Sequence, residues 1–179
     1  MEILRREGVR FESIEAAVDD AATPPPGDPR EVARALAVAK AQAVAAAHAD
    51  RCRDAFVVAA DTICHHRGES VGKASDPDEA RNILMRMMDG AHAVVTGVAV
   101  LRDGVLHTFV DEATVRLERV SATDMEHYIA GGLWEGKAGA YDIEERRRAG
   151  WTLHCEGDPD TVGGLPWKRL REVLEAWSR

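Results

Sequence analysis

Residues 57–73 bring together two side chains that could carry out chemistry, the carboxylate of Asp61 and the ammonium group of Lys73. An apolar run at 56–60 stops at Asp61, and a polar hairpin then returns the chain to Lys73. This pattern predicts a buried strand that ends at Asp61. Because open α/β sheets bind ligands at the carboxyl ends of their strands, Asp61 stands where chemistry is usually done. The alternative is that Asp61 caps a turn and Lys73 lies on the surface.

The helices and strands around this pair have recognisable start and stop signals in the sequence. Asp28-Pro29 and Asp76-Pro77 are each followed closely by a glutamate, which is typical of a capped helix start. Asp103-Gly104 is typical of a tight turn between two strands. Gly97, inside one of those strands, indicates either a bulge or a close backbone approach. We predict an α/β fold in one domain, residues 1–179, with helices at about 29–49, 77–88, 122–130 and 166–177, and strands at about 9–14, 57–61, 91–102, 105–118 and 151–155.

Lys40 interrupts the alanine-rich part of the first long helix. A lysine in such a place often extends its stem along apolar surface to reach water. Its small neighbours would also let a ligand phosphate approach closely, so both interpretations stay open. The predicted buried positions are Val32, Leu36, Ala39 and Ala43 on this helix, and Ala80, Ile83, Leu84 and Met87 on the next.

The composition excludes several classes of protein. A net charge of −8, from 23 basic and 31 acidic side chains, argues against a nucleic-acid binder, although it allows a small phosphorylated ligand. No apolar run approaches the ~20 residues that cross a bilayer, so we expect no membrane contact and a cytoplasmic protein. Three widely spaced cysteines predict neither a disulfide framework nor a zinc site, and we interpret His65 and His66, next to Cys64, as structural.

Six short motifs follow one another along nearly the whole chain. They are Ala-Lys-Ala at 39–41, Ala-Asp-Thr at 60–62, Gly-Lys at 72–73, Val-Val-Thr-Gly-Val at 94–98, Lys-Ala-Gly-Ala-Tyr at 137–141 and Gly-Leu-Pro at 164–166. Their order and spacing resemble the Maf family of nucleotide pyrophosphatases, although no single motif is specific. The resemblance implies a Maf/Ham1-like α/β fold, related to inosine triphosphatase, with a mixed, twisted central sheet flanked by helices. It also implies hydrolysis of pyrimidine or modified nucleoside triphosphates to the monophosphate and pyrophosphate.

The same resemblance implies roles for individual residues. Asp61 resembles the catalytic carboxylate and Lys73 its phosphate-binding companion. A divalent metal, Mg²⁺ or Mn²⁺, would be held by Asp20 and Asp61, since Mg²⁺ accepts one or two carboxylates together with substrate phosphates. A homodimer is a further expectation from the family. The substrate contacts that the resemblance implies are Lys40, Thr62, Lys137 and Glu144.

Three departures from the family pattern accompany these matches. The resemblance begins inside the family's first helix, so we expect the preceding strand and its Ser-x-Ser-x-Arg-Arg loop to be missing, with an unpaired sheet edge in their place. Glu144 stands where the family usually has a base-contacting glutamine, and a carboxylate offers no amide donor. The segment 158–161 is unusually acidic. The alternative function is therefore a catalytically impaired nucleotide-binding or cell-division regulatory protein.

Overall fold

A five-stranded sheet runs through the computed structural model, which describes residues 2–18 and 24–177. The strand order is β2-β1-β3-β4-β5, and each pairing between these strands is antiparallel. The predicted α/β class, with a central sheet and flanking helices, is confirmed, but the described strands include no parallel pair. The strands are β1 Val57–His66, β2 Glu69–Val71, β3 Ala91–Arg102, β4 Val105–Leu117 and β5 Leu153–Glu156.

The main helices begin where the capping signals predict. Asp28 accepts a hydrogen bond from the backbone of Arg30, and Asp76 accepts one from Glu79, with proline at the first helical position in both cases. None of the helices in the described residues is long and apolar enough to span a bilayer. The helices are α1 Glu2–Arg6, α2 Pro29–Ala47, α3 Ala49–Cys52, α4 Pro77–Met87, α5 Ala122–Ala130, α6 Ile143–Arg148, α7 Pro159–Val162 and α8 Trp167–Trp177.

Two strand predictions are wrong. The strand at 9–14 is absent, because this segment has irregular backbone despite its alternating pattern. β1 does not end at Asp61 but continues to His66, with Asp61 paired to Gly97 and Thr62 paired to Thr96 on β3. The polar residues do not end the strand because their side chains find polar partners on the elements that cover each face.

The two faces of the sheet are covered differently. Alternate residues of β1 point to opposite faces. Ala59 and Ile63 pack under α2, whereas Ala60 and Cys64 belong to two clusters on the other face. The cluster of Cys64 includes α4 and α5, the cluster of Ala60 includes α8, and the predicted buried positions of α4 are confirmed.

The predicted buried face of α2 is wrong. The fully buried residues are Ala33, Ala37 and Ala41, while Ala39 is exposed and the larger Val32 and Leu36 are half-buried. The helix lies so close to the sheet that only small side chains fit between them. A Cβ atom at Gly97 would lie 2.4 Å from the carbonyl carbon of Ala33, which confirms the close backbone approach as the reason for a glycine there.

One edge of β1 is only partly covered by a neighbouring strand. On the side away from β3, β2 pairs with residues 64–66 alone. Within the described ranges, residues 57–63 have no strand partner on that side, as expected from the sequence. Instead, a cavity of about 680 Å³ runs along this edge, between the irregular segment 9–18 and α2.

Candidate functional site

Asp61 forms an ion pair with Lys40 on the α2 face of the sheet. The Nζ atom of Lys40 donates to Oδ1 of Asp61 at 2.6 Å. The Asp61 side chain is only 9% exposed and that of Lys40 is 19% exposed. Removing charges from water is costly unless they are paired, so each side chain makes the position of the other tolerable. The sequence-predicted carboxylate and one predicted phosphate-binding lysine are therefore brought together.

Thr62 lies on the opposite face of the sheet from Asp61, because consecutive strand residues alternate. It lines a cavity of about 200 Å³, called the Thr62 cavity below. The floor of this cavity comes from β1 and β3, and its walls come from two loops. The residues that line it are Thr62, Cys64, Val94, Lys137, Ala138, Tyr141, Asp142, Val162, Gly163 and Gly164.

Lys73 follows β2, two residues after the last pair between β2 and β1. That pair joins Val71 to Cys64. Lys73 itself forms an isolated antiparallel bridge with Ala138. The hairpin that the sequence predicts therefore returns the chain to the loop that carries Lys137.

Lys137, next to that bridge, lines the Thr62 cavity and pairs with Glu145 at 2.5 Å. The Lys40–Asp61 pair and the Thr62 cavity thus lie on opposite faces of β1, next to its open edge. A ligand that occupies both places must pass around this edge. A ring in the cavity with a charged chain along the edge fits this arrangement.

One predicted residue, Glu144, is not part of this constellation. Glu144 lies on α6, where its side chain is 51% exposed and pairs with Arg147 at 3.2 Å. It does not line the Thr62 cavity, whereas Tyr141 and Asp142 do. The helix start at Asp142 explains this, because Asp142 turns inward to cap the backbone of Glu145 and leaves Glu144 outside. Asp20, the other predicted metal ligand, lies outside the described residues.

Metal binding at Asp61 would need groups beyond the described side chains. In residues 2–18 and 24–177, no three His, Cys, Asp or Glu side chains lie close enough together to hold a metal ion. Mg²⁺ is commonly bound by one or two carboxylates plus substrate phosphates and water. A single carboxylate such as Asp61 is compatible with a metal ion that the substrate helps to bind.

Three residues that the sequence did not mark as functional hold Thr62 in place. The Oγ1 atom of Thr62 lies 2.9 Å from that of Thr96, which donates to the backbone carbonyl of Thr161 at 2.7 Å. The hydroxyl of Thr161 in turn bonds to Asp111. Thr96 has two signals in the sequence, its place before the glycine of a buried strand and its position in the motif at 94–98. The sequence does not indicate that Thr161 and Asp111 join Thr96, because they meet it only after folding.

Burial keeps two other groups near the cavity uncharged. The pKa of Tyr141 is raised well above its usual value by burial, and its hydroxyl lies 2.6 Å from Nε2 of His92. Burial likewise raises the pKa of the Cys64 thiol to about 12. Neither group is a ready acid or nucleophile at neutral pH, so they form the apolar part of the cavity wall.

The model of the family described as Maf-like protein matches residues 1–177. The chain belongs to the Maf family. A relative from Salinibacter ruber, named dTTP/UTP pyrophosphatase, is 38% identical over 176 residues, which cover 97% of this chain and 84% of the relative. Proteins of the same name from Halalkalibacterium halodurans and Novosphingobium aromaticivorans are 39% identical over 145 residues and 37% over 178. These alignments cover 81% and 98% of this chain, and 74% and 86% of the two relatives.

The family match confirms the resemblance deduced from the six motifs. The names of the Maf relatives agree with the hydrolase class expected from the sequence. Several residues of those motifs, among them Lys40, Asp61, Thr62 and Lys137, lie at the open edge of β1 or in the adjoining cavity.

Proposed function

We propose that this protein hydrolyses pyrimidine nucleoside triphosphates to the nucleoside monophosphate and pyrophosphate. The observation that carries the proposal is the pairing of Asp61 with Lys40 at the edge of β1, next to the Thr62 cavity. The names of the Maf relatives support the substrate class. The cavity would hold the base, and the triphosphate would follow the edge towards the ion pair.

The chemistry requires the negative charge of the triphosphate to be reduced before water can attack. Lys40, Lys73 and Lys137 supply positive charge from α2, from the hairpin and from the cavity wall. Water adds to the α-phosphorus while the bond from that phosphorus to the bridging oxygen breaks, and pyrophosphate leaves. Asp61 is the carboxylate placed to accept the proton of the attacking water or to hold a metal ion.

We include Mg²⁺ or Mn²⁺ in this proposal, with Asp61 and Asp20 as the protein ligands. When bound, the ion neutralises phosphate oxygens. The described residues contribute the positioning: α2 brings Lys40 to Asp61, and the walls of the Thr62 cavity exclude water from the base.

Pyrophosphate release from dTTP, UTP, CTP, ATP and GTP, measured with Mg²⁺ and with Mn²⁺, tests the proposal. We expect dTTP and UTP to be hydrolysed, and Asp61→Asn to lower kcat by about 100-fold or more. Lys40→Gln should lower kcat/KM, because it removes a positive charge near the phosphates. Asp50→Asn is the matched control, since Asp50 is 95% exposed and pairs with the nearby Arg53.

Full activity in Asp61→Asn, with folding unchanged by circular dichroism, would refute the catalytic assignment. Nucleotide binding by the wild-type protein without any pyrophosphate release would instead favour the alternative, a nucleotide-binding regulatory protein.

A further inference from the structure

A continuous set of hydrogen bonds links the Thr62 cavity to β4. It begins at the Thr62 hydroxyl, passes through the hydroxyl of Thr96 to the carbonyl of Thr161, and continues from the Thr161 hydroxyl to Asp111. Thr96 and Thr161 have no exposed surface, whereas Thr62 lines the cavity. Solvent therefore cannot replace a partner at Thr96.

The direction of these hydrogen bonds follows from counting protons. A hydroxyl group has one proton to donate and two lone pairs with which to accept. The carbonyl of Thr161 can only accept, so the proton of Thr96 is used there at 2.7 Å. Thr96 then has no proton left for Thr62, although the two hydroxyl oxygens lie 2.9 Å apart. Thr62 must therefore donate its own proton to Thr96.

We propose that this direction makes Thr62 a hydrogen-bond acceptor towards the cavity, and that Thr96 is the positioning residue that enforces it. A ligand ring must then present an N–H group to Thr62. In the proposed pose the N3 atom of the pyrimidine faces Thr62. Uracil and thymine then present the imide N–H at N3, whereas the N3 of cytosine is itself an acceptor and meets Thr62 lone pair to lone pair. The inference rests on the proposed function for its substrate class and adds the cause of a uracil or thymine preference.

Thr96 also contributes to the shape of the cavity, and this effect must be separated from the first. Its bond to the Thr161 carbonyl anchors the segment that continues to Gly163 and Gly164 in the cavity wall. A Cβ atom at Gly164 would lie 3.3 Å from the Thr62 hydroxyl oxygen. A substitution that loosens this wall would weaken the binding of all nucleotides. A change in hydrogen-bond direction would instead alter the preference for uracil over cytosine nucleotides.

Three variants and one control separate these effects. Thr96→Val keeps the shape of the side chain but frees the Thr62 hydroxyl to rotate and donate to cytosine. Thr96→Ser keeps the hydroxyl and is the conservative rescue. Thr161→Val removes the bond to Asp111 but keeps the carbonyl that accepts from Thr96, so it loosens the wall without changing the direction at Thr62. Thr108→Val makes the same substitution on β4 at a residue that does not line the cavity.

The experiment measures kcat/KM for UTP and CTP, and the Kd of UMP and CMP by calorimetry. We expect the wild-type protein, Thr96→Ser, Thr161→Val and Thr108→Val to keep the same preference for uracil. In Thr96→Val the ratio of kcat/KM for UTP to that for CTP should fall about tenfold, which corresponds to about 1.4 kcal/mol. Part of this change should be a higher kcat/KM for CTP and tighter binding of CMP.

An unchanged ratio in Thr96→Val, or an equal fall in Thr161→Val, would overturn the inference. So would a wild-type protein that shows no preference for uracil in either turnover or binding. If UMP binding keeps the expected pattern while no nucleotide releases pyrophosphate, the proposed function fails and the inference about Thr96 stands.

Discussion

Gly97 is the residue at which a single methyl group should disturb both the fold and the site. An ideal Cβ atom there lies 2.4 Å from the carbonyl carbon of Ala33 and 2.5 Å from the backbone nitrogen of Arg34. Ordinary contacts begin at 3.4 Å, so α2 must move by about 1 Å in Gly97→Ala. These are backbone atoms, so no side-chain rotation can relieve the overlap.

The expected size of the effect follows from two opposing terms. Alanine loses less backbone freedom than glycine on folding, which favours the variant by about 0.4–1 kcal/mol. Overpacking costs about 1–3 kcal/mol, and three overlapping backbone atoms place Gly97→Ala near the upper end. We expect a net loss of about 2 kcal/mol in the free energy of unfolding. For a chain of this length that lowers Tm by about 4–8 °C.

Activity should fall as well, because α2 carries Lys40 to Asp61, and Asp61 is the strand partner of Gly97. A misplacement of about 1 Å can cost about 100-fold in rate. Urea unfolding and pyrophosphate release measure the two effects. Gly131→Ala is the control, since Gly131 has helical backbone geometry. An ideal Cβ atom at Gly131 lies 3.3 Å from its nearest neighbour, the backbone oxygen of His127. If Gly97→Ala matches this control in both assays, the close approach of α2 to β3 is not what places Lys40.

Two further predictions follow from buried groups. Burial lowers the pKa of His92 to about 4 from an ordinary 6.5. As pH falls, this histidine is therefore protonated in the unfolded chain before it is protonated in the folded protein. The free energy of unfolding should then drop by up to about 3 kcal/mol between pH 6.5 and pH 4. His92→Gln should lose less over that interval, and parallel urea-unfolding profiles for the two proteins would contradict this. Because burial raises the pKa of Cys64 to about 12, iodoacetamide at pH 7.5 should label Cys52 in the native protein but Cys64 only in denaturant, as followed by mass spectrometry. Equal labelling rates for Cys52 and Cys64 would show that this core opens readily.

Local signals in the sequence predict several elements with close boundaries. The Asp103-Gly104 turn joins β3 and β4 because both residues adopt the positive φ that such a turn requires. The aspartate caps place the starts of α2 and α4, since a side-chain cap depends only on residues two or three positions away. The buried stripe of α4 is likewise predicted correctly, because its apolar residues occupy one face and alternatives are few.

Predictions that depend on a distant partner were less successful. The alternating pattern at 9–14 is typical of a strand, but a strand also needs a neighbour, and in the described residues it has none. The large side chains of α2 suggested the wrong face, because the distance between helix and sheet decides which residues are buried. The base contact of Glu144 stays a prediction from motif position, and the structure places this side chain on α6, paired with Arg147.

Asp61 and Thr62 illustrate which features of the site can be predicted from the sequence and which require the folded structure. The residue pattern indicates that a carboxylate and a hydroxyl interrupt a buried strand, and that lysines occur in motifs of the same family. The folded structure shows that the strand continues through both residues and directs them to opposite faces. The reason is physical: Lys40 comes from another element to neutralise Asp61, and Thr62 bonds to Thr96, which in turn donates to the carbonyl of the distant Thr161. No local pattern specifies such partners, because folding alone brings them within hydrogen-bonding distance.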